Sequence, residues 1–224
     1  MSEDDAADDR IWWPSYPLWK VVIIVLAGAF LAATFGYWLG KPGPLDESSV
    51  EVGFLKDMTH HHEQAVQMAV IEQENGADPV IVGFATEILR RQSYELGVMA
   101  TMLDRFGSGP EPNETAMAWM GEPTPVEEMP GLATEEQMAQ LRAAKGPAAD
   151  ALFLELMTAH HRGGVHMATY AYEHAGADSV RDLEQRMAYV QATEINEFRD
   201  TAQRAGIDVV IDPQAVTVPD PSGG

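Results

Sequence analysis

The chain has 224 residues, a formal net charge of −21 and no cysteine. The missing thiols exclude disulfides and thiolate metal sites. The acidic balance argues against nucleic acid or an anionic lipid surface as a partner of any soluble part and suits cations, although a solvated acidic coat reads the same way.

Residues 1–20 read as an acidic N-terminal tail. Its first ten positions carry no apolar pattern and imply disorder, after which Trp12, Trp13, Tyr16 and Trp19 lead into Lys20. Val21 to Leu39 is an uncharged run of Val, Ile, Leu, Ala and Phe. As a helix it rises roughly 28 Å, close to the roughly 30 Å of a hydrocarbon core. Residues 21–40 therefore read as a single transmembrane anchor in contact with the bilayer through 21–39. Aromatic side chains flank both ends, as interfacial anchors do. A cleaved signal peptide is the alternative; against it, the run is long for one and no small-x-small cleavage site adjoins it. A short tail inside and a large acidic domain outside is the usual arrangement of such an anchor, which places the domain outside the cytoplasm at the cell membrane.

Lys41-Pro-Gly-Pro44 breaks the helix. The domain then spans residues 47–206. A first helix is expected from about Ser49 to Glu74, with Asp46, Ser48 and Ser49 as candidate N-caps and Glu51 placed for a capping box from Ser48. Asp78 caps and Pro79 opens a second helix reaching about Phe106, where Gly107 stops it. Gly109 to Gly131 is rich in Pro, Gly and Glu and reads as a long crossover. Thr134 and Gln137 form another capping box before a short helix. A third long helix runs from about Ala148 to Ala175, and a fourth, capped by Asp178 or Ser179, runs to about Ala205. Residues 207–224, rich in Pro and Gly, read as a flexible C-terminal tail.

An internal repeat organises these elements. Met58-Thr-His-His-His-Glu-Gln-Ala-Val-Gln-Met68-Ala69 returns 99 positions later as Met157-Thr-Ala-His-His-Arg-Gly-Gly-Val-His-Met167-Ala168. At about 100° per residue, Met58, His61, His62, Met68 and Ala69 share one broad helical face, and Met157, His160, His161, Met167 and Ala168 repeat it. His60 and His166 fall on the opposite side and His174 near a helix end, so these three read as surface residues. Gln92, Glu95 and Met99 in the second helix are matched by Gln191, Glu194 and Phe198 in the fourth, again at an offset of 99. Two hairpins joined by a long crossover should close as an all-α, ferritin-like four-helix bundle.

These residues resemble the bacterial domain-of-unknown-function family 305, whose hallmark is a duplicated Met-x-x-His-His segment followed by a helical Met-Ala. Trp119-Met-Gly, Met129-Pro-Gly-Leu and Phe153-Leu-Glu-Leu-Met157 look like its landmarks, and the likeness covers roughly Val52 to Ala205. The resemblance implies a ferritin-like four-helix fold, export or membrane anchoring, and, for some members, copper binding and tolerance. It implies His61, His62, Met68, His160, His161 and Met167 as the motif positions. Two departures stand out: His60 makes a triplet of the first pair, and Arg162 and Gly163 replace the acidic or amide residues usual after the second, which would make the two copies unequal.

Imidazole suits Cu, Zn, Ni and Fe, and thioether adds a preference for Cu(I). The metal reading thus takes the six motif residues as ligands, with Met58, Met157, Glu95 and Glu194 as further ligands or supports. It gives copper, favoured as Cu(I), with another transition metal as the variant, and a role in sequestration, delivery or tolerance. The competing reading treats the methionines as core filler and the histidines as bonded to Glu95 and Glu194 in a non-catalytic scaffold for a membrane or envelope complex. A homo-oligomer or an envelope protein partner fits either. Di-iron oxidase chemistry is disfavoured because Met58 and Met157 stand where Glu-x-x-His motifs would need carboxylates. The protein is therefore not expected to be an enzyme.

Overall fold

Continuous apolar sequence gives α1, Leu18–Leu39, three residues longer at its start than the uncharged run. Its segment Leu18–Trp38 is long and apolar enough to cross a membrane, and a signal sequence would satisfy the same criterion. The computed structural model describes residues 16–40 and 43–222. Most of the expected acidic tail, with Trp12 and Trp13, and Lys41 and Pro42 of the linker lie outside the described residues. The chain divides into two units, residues 1–42 and 43–224. The second is all-helical: α2 Val50–Asn75, α3 Pro79–Phe106, α4 Glu135–Ala143, α5 Pro147–His174 and α6 Asp178–Ala205.

Local chemistry sets most of these limits. Asp78 accepts from the N–H groups of Val80 and Ile81, with Pro79 in the first turn, and Gly107 and Gly206 end α3 and α6 in the left-handed conformation. Thr134 and Gln137 form the reciprocal capping box of α4. Of the candidate caps of α2, Ser49 is the one used, accepting from the Val52 N–H, while Ser48 bonds to Asp46 and forms no capping box with Glu51. At α6 no side chain caps the N-terminus, and Asp178 pairs with Arg181 instead.

The reason Glu51 makes no capping box is a longer-range bond. Its carboxylate accepts from the N–H groups of Gly176 and Ala177, at 2.6 and 3.1 Å, in the turn of the other hairpin. Asp150, 99 positions on, does the same for Ala77 and Asp78 at 2.8 and 3.0 Å. Each hairpin thereby holds the turn of the other, which fixes α2 and α5 antiparallel at the centre of the bundle. The α2–α3 and α5–α6 hairpins pack through this α2–α5 contact.

The crossover from Gly107 to Thr134 is irregular, with short turns at Ala118–Met120 and Val126–Glu128. Asp57 of α2 binds it by accepting from Asn113, the Met117 N–H and the Trp119 indole at 2.6, 2.7 and 2.7 Å. The indole lies against Gly53, where a Cβ would collide with it, and packs edge-on against Phe54 and Tyr170. The C-terminal segment has no regular structure, as its composition implies, but it is not loose against the bundle. Ile211 and Val218 are buried, Gln214 exchanges bonds with Asn196, and Arg162 donates to the Asp212 carbonyl. Short apolar anchors spaced seven apart carry too little periodicity to announce this packing.

Two glutamates are buried without a donor to satisfy them. Glu72 and Glu184 are both 0% exposed, and among the described residues no N–H or hydroxyl group donates to either carboxylate. Burial, then the Asp150 carboxylate, which accepts from the protonated form, raises Glu72 from 4.5 to about 9. Burial and then the Glu51 charge raise Glu184 to about 9. Both are therefore protonated in the folded protein at neutral pH, whereas the unfolded chain ionises them near its ordinary value. Folding stability from these groups is intact below about pH 4.5 and declines as pH rises toward about 9. Glu72→Gln, which keeps the shape and removes the ionisation, should gain at least about 1 kcal/mol at pH 8 and nothing at pH 4. Chemical denaturation at the two pH values measures this; equal stability of variant and parent at both would refute the assignment.

Candidate functional site

The repeated face turns inward on both central helices. His61, His62, His160 and His161 are each 0% exposed, and Met58, Met68, Met157 and Met167 at most 1%. His166 and His174 are exposed and His60 half-buried, apart from this core.

The four rings are held differently. His62 bonds through Nε2 to Glu95 at 2.9 Å, and His161 through Nε2 to Glu194 at 2.8 Å. His160 donates from Nε2 to the His61 carbonyl at 2.8 Å. A carbonyl can only accept, so the His160 proton is on Nε2 and Nδ1 keeps a bare lone pair. In their neutral forms His62 and His161 likewise carry the proton toward the carboxylate. Among the described residues, Nδ1 of His62, His160 and His161 has no hydrogen-bond partner and no access to water, and His61 lies against the Pro130 backbone carbonyl without a well-formed hydrogen bond from either ring nitrogen. The His61 and His160 rings face each other with centroids 3.7 Å apart and planes inclined by 33°. Burial, then the neighbouring imidazoles, pushes both well below the usual histidine range, so both are neutral. Neutral imidazoles can lie this close, and their lone pairs face no competing proton.

The methionines fall into two layers on either side of the rings. Met58 and Met167 belong to one, with Met99 and Met187; Met68 and Met157 belong to the other, with Ile88 and Phe198. Each copy thus contributes one thioether to each layer. The donors are not preassembled as a cage: among the described residues, no three His, Asp or Glu side chains converge in a metal-holding group. Facing rings place their lone pairs side by side, so ligation would require one of them to rotate.

Three participants were not singled out as site residues from the sequence. Arg91 donates to Glu194 Oε1, and this ion pair together with the His161 bond outweighs the upward push of burial and keeps the carboxyl below its ordinary value. Arg91 has no counterpart in the repeat, since Val190 stands at its matched position. Gln64 clamps the crossover through both amide groups, to the Ala133 carbonyl at 2.8 Å and the Ala133 N–H at 2.6 Å. Its counterpart is Gly163, and there the crossover passes so close that a Cβ would collide with the Pro130 carbonyl. The departure noted in the second copy is therefore a packing solution: an amide holds the crossover on α2, and a bare backbone admits it on α5. Gly131, at φ +91°, lies against the His160 backbone and completes this cover.

A pair of cross-braced hairpins with a buried His–Met centre is an all-helical bundle that could hold a soft cation. The family described as domain of unknown function (DUF305) matches residues 51–202, and the chain belongs to it. Similar solved structures include a Streptomyces coelicolor protein of this family described as secreted, at 34% identity, 72% of this chain, 96% of that one and a TM-score of 0.67. A Deinococcus radiodurans fragment of the family matches at 28% identity, 72% and 99% coverage and a TM-score of 0.60. CopM in its Cu(I)-bound form shares the fold at 24% identity, 68% and 94% coverage and a TM-score of 0.52. No curated protein matches the chain.

The crossover contact gives a paired test. Gly163→Ala should destabilise the domain by about 1–3 kcal/mol through overpacking. Gly97→Ala, in α3 where a Cβ meets nothing, should stabilise it by about 0.5–1 kcal/mol through helix propensity. Thermal melts of both variants check the sign; a neutral Gly163→Ala would remove the crossover from its place on α5.

Proposed function

We propose that the protein is a membrane-anchored, extracytoplasmic copper-binding bundle that serves sequestration, delivery or tolerance rather than catalysis. The observation that carries this reading is the set of buried imidazole nitrogens on His61, His62, His160 and His161 that make no well-formed hydrogen bond among the described residues. Leaving such a polar group buried and unpaired costs roughly 1–3 kcal/mol, which a bound cation would recover. The Nε2 bonds of His62 and His161 to Glu95 and Glu194 match the carboxylate support that metal-ligating histidines usually have, leaving Nδ1 for the ion. Met58, Met68, Met157 and Met167 supply soft, neutral donors in the same core, which favours Cu(I) over Zn(II). CopM has been crystallised with Cu(I), Cu(II) and silver bound, which supports copper as the cargo of this fold.

The same His–Glu bonds favour a second reading, in which Glu95 and Glu194 simply satisfy structural histidines and the acidic bundle is an interaction scaffold. Methionine chemistry separates the two. Met68→Leu with Met167→Leu conserves volume and should cost under about 1.5 kcal/mol per site. If the thioethers are ligands, Cu(I) affinity falls in competition with a colorimetric chelator under reducing conditions, while Zn(II) affinity changes little. Unchanged Cu(I) affinity returns these methionines to the core, and absence of Cu(I) binding by the unmodified chain leaves the scaffold.

The anchor is tested separately. Protease added to intact spheroplasts should remove the bundle. Full protection of membrane-bound protein would reverse the orientation, and release of the bundle without protease would make α1 a cleaved signal.

A further inference from the structure

The helices that face the two histidine pairs are chemically unequal. α3 brings Glu95 to His62 and, one turn later, Met99; α6 brings Glu194 to His161 and, one turn later, Phe198. The Phe198 ring lies 5.5 Å from the His161 ring. Met99 occupies the matching position of the repeat on α3: it is 0% exposed, and its sulfur accepts from the Thr59 hydroxyl at 3.9 Å, in the helical turn that carries His61 and His62. The difference extends across the layer. Met58, Met99, Met167 and Met187 place one thioether from each long bundle helix in one layer, whereas the opposite layer has Met68 and Met157 but Phe198 and Ile88 at the positions matching Met99 and Met187.

Charge differs in the same sense. Arg91 is ion-paired to Glu194, so the His161 half already contains a guanidinium that offsets its carboxylate. At the matched position beside Glu95 the chain has Val190. A cation approaching His161 meets a guanidinium and an aromatic ring; one approaching His62 meets the Glu95 carboxylate with no guanidinium paired to it among the described residues.

We infer that the two halves bind unequally: the half built on His62, Glu95 and Met99 takes a soft monovalent cation such as Cu(I) first, with Met99 as its specificity-determining ligand. The half built on His161, Glu194, Arg91 and Phe198 fills second or not at all. This rests on the copper reading above and adds to it an order of filling and a ligand outside the repeated His–Met motif.

The test uses the full chain in detergent, titrated anaerobically with Cu(I) against a colorimetric chelator. The first equivalent should bind at least about tenfold more tightly than any second, a gap within the range that a ligand environment imposes on metal affinity. Met99→Leu should weaken the first equivalent by about tenfold or more, affect Zn(II) far less, and remove one sulfur neighbour from the X-ray absorption spectrum of protein loaded with one Cu(I). Phe198→Met combined with Arg91→Met should strengthen the second equivalent, an outcome that does not depend on how Met99→Leu folds. Two equal Cu(I) affinities in the parent chain, or an unaltered first equivalent and sulfur count in Met99→Leu, would overturn the inequality while leaving the copper reading intact. No Cu(I) binding by the parent chain would overturn both.

Discussion

Four imidazoles buried between α2 and α5 each carry two polar nitrogens into a region without water, and the surrounding structure is arranged around that demand. Two of the rings reach across to Glu95 and Glu194, which ties each hairpin internally through a charge-assisted or strongly polar bond. One reaches the His61 carbonyl and links the hairpins to each other. These bonds leave several ring nitrogens without a partner among the described residues. A purely structural core would be cheaper to build from apolar side chains alone, as the flanking layers are, so the unpaired nitrogens are the feature that asks for a ligand.

The rest of the domain keeps this centre closed. Glu51 and Asp150 cross-brace the turns, so that α2 and α5 cannot splay without losing four backbone hydrogen bonds at the bundle ends. Asp57 and Gln64 fasten the crossover over α2, and Gly163 lets it settle on α5 beside His160. An irregular segment held by the buried Asp57 and the half-buried Gln64 thus completes the cover that the helical hairpins begin. Its backbone requires a left-handed Met117, φ 58°, a conformation that a non-glycine residue adopts at a cost of order 1–3 kcal/mol and that the Asp57 bond to its N–H helps to hold.

Helix number, order and limits were legible in the sequence because they depend on local signals: Asp78-Pro79, Thr134 with Gln137, and the glycines after Phe106 and Ala205. The inward turn of the histidine pairs was legible for a different reason, since an offset of 99 filtered face-sharing residues from His60 and His166. What could not be read are interactions that span the chain. Glu51 has the spacing of a capping box yet bonds 125 residues away, and Arg91 joins Glu194 across 103 residues without a repeated partner to advertise it. Gly163 looked like a degraded copy of Gln64, because the crossover that makes both residues useful touches α2 and α5 differently. The docked C-terminal segment was missed because Ile211 and Val218 are single anchors in a stretch whose composition is that of a linker.

Selectivity in such a protein must come from the core rather than from the charge it displays. A net charge of −21 raises the local concentration of every cation, hard or soft, and salt screens that attraction over about 10 Å. The buried donors act in the opposite manner. They are imidazole and thioether groups in a dry environment, where a hard divalent ion would exchange its hydration for soft sulfur ligands that suit it poorly. A soft monovalent ion loses less and gains polarisable ligands. The protonated Glu72 and Glu184 at the bundle ends fit the same logic, since at neutral pH they add no negative charge that would favour a hard divalent cation inside. On the proposed copper reading, surface and interior would act in sequence on an arriving ion: the acidic exterior would gather cations without distinction, and the His–Met centre would hold those that suit polarisable donors.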